Sequence, residues 1–168
     1  MTFIQNMVSA LTDLNPVVLD HFKKTVREWK GSILILGNGG SNAIASHMAE
    51  DYTKALGKRA ISFSDSARMS CYANDYGYEN AFSQFTKEFS DSDSLVILIS
   101  SSGNSKNIVN CARYCSENSI PYVLLTGFES ENSIRSLYSS GAIHDFWVDS
   151  KDYGVVECTH EIILHSVI

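Results

Sequence analysis

Compact apolar runs at residues 33–36, 95–99, 122–125 and 146–148 alternate along this chain with longer segments patterned for helix, at 41–56, 80–89, 105–117 and 131–138. Short strands that are apolar at successive positions are buried on both faces, and a helix between each pair supplies the crossover that parallel pairing needs. The alternation therefore predicts βαβ units and a parallel sheet with helices on both sides. Val18, Leu19, Phe22, Val26 and Trp29 fall at helical spacing and predict a helix over 17–29; residues 155–168 are also helical in pattern. At 168 residues, against roughly 150 per domain, with no repeat and no linker, the chain reads as one domain over 1–168. It divides into an N-terminal helical segment (1–30), the sheet with its helices (31–150) and a C-terminal helix (151–168).

Thirteen basic residues against nineteen acidic ones give a formal charge of -6, which argues against capture of nucleic acid or an anionic membrane through a global field. Any phosphate must be bound locally. Lys23, Lys24, Arg27 and Lys30 read as the solvated face of the 17–29 helix. Cys71, Cys111, Cys115 and Cys158 contain no C-x-x-C pair, so reduced thiols are expected, with Cys111 and Cys115 in the core. No apolar run approaches the roughly 18 residues of a membrane span, and Met1-Thr2-Phe3-Ile4-Gln5-Asn6 has no basic-then-apolar leader pattern. Those features place the protein in the cytoplasm.

Two strands end in glycine- and hydroxyl-rich turns that lead directly into helices: Leu36-Gly37-Asn38-Gly39-Gly40-Ser41 and Ile99-Ser100-Ser101-Ser102-Gly103-Asn104-Ser105. In an open parallel sheet, ligands bind at these carboxyl ends. A helix N-terminus there offers free N–H groups and the positive end of its dipole to a phosphate. Hydroxyls of Ser100, Ser101, Ser102 and Ser105 add short neutral donors, so an acidic chain can still hold an anion. G-N-G-G lacks the dinucleotide spacing G-x-G-x-x-G, and there is no G-K-[ST].

Together with Ala73-Asn74-Asp75-Tyr76-Gly77-Tyr78-Glu79-Asn80, these two turns resemble the SIS (sugar isomerase) family, and within it the phosphoheptose isomerases. The resemblance covers roughly 37–127 and returns at 152–165. It implies a doubly wound, flavodoxin-like, five-stranded parallel sheet in an α/β fold, and a homotetramer with active sites at subunit interfaces. The implied activity interconverts sedoheptulose 7-phosphate and D-glycero-D-manno-heptose 7-phosphate, which supplies heptose to bacterial surface polysaccharide, lipopolysaccharide or capsule. The phosphosugar site it implies comprises Asn38, Gly39, Gly40, Ser41, Asn74, Asp75, Ser100, Ser101, Ser102 and Ser105.

His47 and Asp51 are four residues apart and share a helix face, while Glu157, Glu161 and His165 form an i, i+4, i+8 stripe with His160 off it. The family has His and, four later, Glu; on its last helix it has Gln and, eight later, His, described both as an acid/base pair and as zinc ligands. By that likeness Zn²⁺ is the cofactor, His47, Asp51, Glu157 and His165 hold it, and Asp51 or Glu157 with His165 exchange protons through an enediol. Asp51 stands where Glu is usual and Glu157 where Gln is usual, and Val155 replaces a basic residue. Glu157 and His165 are two turns apart, about 12 Å along one helix, so convergence on one ion stretches both side chains. The rival reading is a non-catalytic SIS module that senses a sugar phosphate or binds a protein. It predicts loss of the ionisable cluster, and all four positions here remain ionisable.

Overall fold

The computed structural model describes residues 2–168; residue 1, part of the expected N-terminal segment, lies outside the described residues. Helices α1 (Phe3–Thr12) and α2 (Pro16–Glu28) precede the sheet. They are separated because Asn15 caps α2, its Oδ1 accepting from the N–H of Val17 (2.9 Å), and Pro16 opens it with a preset φ. Then follow β1 (Ile33–Gly37), α3 (Gly40–Leu56), β2 (Ala60–Ser62), α4 (Ser66–Tyr76), α5 (Ala81–Phe89), β3 (Leu95–Ser100), α6 (Lys106–Glu117), β4 (Tyr122–Gly127), α7 (Ser133–Tyr138), β5 (His144–Val148) and α8 (Tyr153–His165).

All five strands pair in parallel, in the order β2-β1-β3-β4-β5. The pleat sorts each buried strand between two cores. Ile33, Ile35, Leu95, Ile97, Ile99, Val123 and Leu125 face α2, α3 and α8 through Phe22, Val26, Met48, Tyr52, Ile163 and Leu164. Leu34, Leu36, Val96, Leu98, Tyr122 and Leu124 face the other way, against Phe63, Phe82, Phe85, Ile108, Cys111, Cys115 and Ile134. Apolar runs with no alternation are the signature of such a doubly covered sheet.

Two elements exceed what the pattern predicts. Strand β2 is three half-buried residues at the sheet edge, too short to register as an apolar run. Helix α4 buries only Tyr72 fully, so its apolar spacing is diluted by Ser, Asn and Asp. The strand order places the topological switch between β1 and β3, whose ends are level at Gly37 and Ile99. From these neighbouring ends the chain departs to opposite faces, α3 to one core and α6 to the other. A crevice opens where they diverge.

Helix α8 is tied to this frame by two buried polar contacts. The Tyr52 hydroxyl donates to the Leu164 carbonyl (2.9 Å), and His160 Nε2 donates to the Thr126 carbonyl (3.0 Å). His160 Nδ1 has no partner among the described residues, and burial pushes its pKa from 6.5 down to about 4. Between those values the unfolded chain takes the proton and the folded chain does not, so stability is intact above pH 6.5 and falls as pH drops toward 4. Urea unfolding compared at neutral pH and near pH 4.5 should therefore show the wild type losing about 2 kcal/mol more than His160→Gln. Equal losses in the two proteins would remove this role.

Candidate functional site

The turn after β1 is built on Gly39, whose φ of 55° and ψ of -123° suit glycine alone; it begins α3 without any side-chain cap. The turn after β3 has Gly103 at φ 64°, where a Cβ would also overlap the Asn132 side chain. Ser105 begins α6, and its hydroxyl caps no backbone amide. Two helix N-termini thus converge with uncapped first turns, the arrangement that suits an anion.

Between them lies a cavity of about 240 Å³ lined by Asn38, Gly39, Gly40, Ser41, Ile99, Ser100, Ser101, Ser102, Ser105, Tyr153 and Glu157. Eight of the ten residues expected at the phosphosugar site are in that lining. Ser100 Oγ accepts from Gly103 N–H and Ser102 Oγ from Asn104 N–H, both at 3.2 Å, which shapes the loop. Ser101 Oγ is buried with no partner among the described residues. Asn38 and Asn107 exchange two amide hydrogen bonds of 2.9 Å, and the Tyr78 hydroxyl donates to Asn38 Oδ1 (2.7 Å). That network links the two turns through side chains that sequence reasoning had not paired. No Lys, Arg or His is among the lining residues.

Asn74 and Asp75, expected at the phosphosugar site, do not line the cavity. Helix α4 carries both on its exposed side, where Asn74 Nδ2 donates to Asp75 Oδ1 (2.8 Å) and Cys71 Sγ to Asp75 Oδ2 (3.4 Å). The Asp75 carboxylate holds the Cys71 thiol above its ordinary pKa.

The ionisable residues divide into two places. α3 and α8 run side by side in the same direction, with Gly40 against Glu157 at one end and Tyr52 bonded to Leu164 toward the other. His47, Asp51, Glu161 and His165 meet between these contacts. Asp51 Oδ2 lies 3.4 Å from His47 Nε2 and 3.5 Å from His165 Nε2, and the two imidazole rings are 5.2 Å apart. Ligand atoms of His47, Glu161 and His165 all lie within 4.8 Å of one another. Glu157, expected with the histidines, is not brought to them. Its carboxylate lies over Gly40, where any Cβ would overlap it. The physical reason is the helical rise: Glu161 is one turn from His165, and Glu157 is two.

The fit of a divalent ion to this group can be tested on its own distances. Two ligands about 2.05 Å from a tetrahedral Zn²⁺ stand about 3.4 Å from each other, which matches both Asp51–imidazole separations. His165 Nδ1 donates to the Glu161 carbonyl (3.0 Å), which orients the ring and turns Nε2 toward the group. Two imidazoles and a carboxylate suit Zn²⁺, and the three donors that lie mutually within 4.8 Å are those of His47, Glu161 and His165, with Asp51 beside both histidines.

An orphaned hydroxyl in a cavity is a liability unless a ligand uses it. Ser101→Ala should therefore leave the thermal midpoint unchanged or raised while weakening inorganic phosphate binding by about 1–3 kcal/mol, measured calorimetrically. Unchanged phosphate affinity would take Ser101 out of the site.

A family model described as SIS domain matches residues 18–127. A phosphoheptose isomerase from Fusobacterium nucleatum subsp. nucleatum is 33% identical over 141 residues, covering 81% of this chain and 70% of that protein. One from Histophilus somni is 35% identical over 116 residues, covering 66% of this chain and 57% of that protein. The chain thus spans between 57% and 70% of the length of these two relatives. Among solved structures, phosphoheptose isomerase GmhA from Neisseria gonorrhoeae shares the fold with a TM-score of 0.87 at 24% identity, over 98% of this chain and 90% of that one.

Proposed function

The chain belongs to the SIS domain family, and from that premise we propose that it is an aldose–ketose isomerase of a phosphorylated sugar, acting on sedoheptulose 7-phosphate. Similarity to phosphoheptose isomerases supports the substrate. The observation that carries the reading is the spacing of the two polar groups along α3. Seven residues separate Gly40 in the cavity from His47, about 10 Å of helix. An extended open-chain heptose, with bonds of roughly 1.5 Å, spans a similar distance from phosphorus to its first carbons. A phosphate held by the serine turns would thus present C1 and C2 to His47, Asp51 and His165.

At that end Asp51 is the proposed base. Its Oδ2 faces both imidazoles, and Oδ1 has no partner among the described residues, so Oδ1 is the atom placed to take a proton from C1. His165 gives a proton to the C2 carbonyl oxygen, forming the neutral enediol. Asp51 then returns its proton to C2 while the O1 hydroxyl surrenders one to His165, leaving an aldehyde at C1. Atoms and charge balance over the cycle. Were Zn²⁺ bound, His47, Asp51 and His165 would hold it, and it would supply Lewis-acid positive charge to the reacting end of the sugar.

We also place the protein in the cytoplasm as a homotetramer with active sites at subunit interfaces. No helix among the described residues is long and apolar enough to cross a membrane. Exposed Phe3, Ile4 and Val8 on α1, beside Tyr153 and Ile162 on α8, support burial against another copy. Light scattering should give the mass of four 18.6 kDa chains, and a stable monomer at micromolar concentration would refute the assembly.

Proton NMR in D₂O tests the chemistry. Sedoheptulose 7-phosphate should convert to the aldose with solvent deuterium entering at C2, and elementally verified removal of Zn²⁺ should slow the conversion. Absence of both conversion and exchange in the zinc-loaded protein would refute the isomerase reading. Full activity without transition metal would remove the ion and leave the acid/base pair.

A further inference from the structure

Two asparagine side chains bridge the turn after β1 and the start of α6, and one backbone amide sets the direction of every hydrogen bond between them. Asn107 Oδ1 accepts from the Ile108 N–H (3.0 Å), which also donates to the Ser105 carbonyl. A backbone N–H can only donate, so the Asn107 oxygen faces it and the Asn107 amino group is left to donate to Asn38 Oδ1 (2.9 Å). Asn38 Nδ2 in turn donates to Asn107 Oδ1 (2.9 Å), and the Tyr78 hydroxyl donates to Asn38 Oδ1 (2.7 Å). We propose that Asn107 and Tyr78 are positioning residues of the phosphate site, which lock the Asn38 amide so that it meets a phosphate oxygen with an N–H and not with its own carbonyl. This inference deepens the phosphosugar reading and rests only on its phosphate cavity.

The count of donors and acceptors carries the argument. An amide oxygen takes about two hydrogen bonds. Asn38 Oδ1 has both, from Asn107 and Tyr78, and Asn107 Oδ1 has both, from Asn38 and Ile108. Each amino group uses one N–H within the pair and keeps the other without a partner among the described residues. The pair therefore presents donors and no free acceptor. A phosphate dianion only accepts, so such a pair attracts it, whereas an inverted Asn38 would set a carbonyl dipole against it. With no Lys, Arg or His in the lining, the direction of each neutral donor decides whether it helps or opposes the anion.

Packing does not set that direction. Asn38 lines the serine cavity on one side and, on the other, a second cavity of about 420 Å³ together with Tyr78, Glu79, Ser105, Lys106 and Asn107. Space on both sides leaves hydrogen bonding to choose between two orientations of an amide whose nitrogen and oxygen ends are nearly equal in size. The lock is itself held by α6. Asn110, one turn beyond Asn107, donates through Nδ2 to the Glu79 carbonyl (2.8 Å) and so fixes the short helix Tyr78–Asn80, from which the hydroxyl reaches Asn38. Helix α6 thus steers the first phosphate turn with two asparagines on one face.

The test uses the full chain with inorganic phosphate as the probe, so it is independent of turnover. Asn107→Leu keeps the approximate shape of a buried side chain and removes its polar atoms, and Tyr78→Phe removes one hydroxyl from an exposed ring. Calorimetry should show phosphate binding weakened about fivefold by Asn107→Leu and about twofold by Tyr78→Phe, on the scale of one net hydrogen bond or less. In an Asn38→Ala background both substitutions should leave phosphate affinity within about 1.5-fold, because their effect passes through the missing amide. Proton–nitrogen NMR of the Asn38 side-chain amide adds a signature: inorganic phosphate should shift one of its two protons in the wild type, and that selectivity should be lost in Asn107→Leu. Thermal melts establish which variants are folded, and Tyr78→Phe decides alone if Asn107→Leu is not. Wild-type affinity in the folded single variants would overturn the proposal, as would losses of the same size with Asn38 replaced, which mark a general loosening of the turns. A wild-type chain that binds no phosphate would overturn it together with the assignment of the cavity. The expected pattern in a protein without isomerase activity would uphold the lock and refute the reaction.

Discussion

Burial of the sheet on both faces is the constraint from which everything else follows. Parallel strands cannot be joined by hairpins, so each is followed by a crossover on one face or the other. Where β1 and β3 lie side by side, the following helices leave in opposite directions. Backbone amides without side-chain caps then stand at two helix starts that line one cavity. The serines and glycines of the two turns fill that gap with donors and room, and so the site is a by-product of topology before it is a matter of chemistry.

The second half of the site depends on α8 lying alongside α3. The Tyr52–Leu164 and His160–Thr126 hydrogen bonds fix the register of α8 against α3 and β4, and that register decides which acidic residue meets which partner. A slip of one turn would exchange the settings of Glu157 and Glu161. Buried polar contacts of this kind are poor contributors to net stability but strong arbiters of alignment. Here they align the serine-lined cavity with a histidine–carboxylate group farther along α3.

The strands and the phosphate turns were legible because each has a local cause. Residues 33–36 and 95–99 are apolar throughout, and the turns announce themselves by glycine and serine. β5 begins at His144, earlier than its apolar part at 146–148, because ladder hydrogen bonding continues through polar residues that a hydrophobic pattern omits. The same limit hid β2 and α4, which bury little of themselves. Likewise, the i, i+4, i+8 stripe on α8 was visible in the sequence, but the partner of each member was not. That depends on the offset between two helices distant in the chain, which brings the Glu161 carboxylate to His47 and His165 and leaves that of Glu157 over Gly40. Asn74 and Asp75 illustrate the converse, since a motif can match in sequence while its side chains face solvent in the single chain.

The absence of any cation from the cavity lining reaches beyond affinity into kinetics. A doubly charged ligand approaching a chain of formal charge -6 is repelled at long range and attracted only on contact, when the amides and hydroxyls come within hydrogen-bonding distance. Mobile ions shorten the reach of that repulsion, with a Debye length of about 10 Å at 0.1 M salt, and leave the contact donors nearly untouched. A phosphate ligand taken up at this cavity would therefore bind faster as ionic strength rises, whereas one at a site lined by lysine or arginine would bind more slowly.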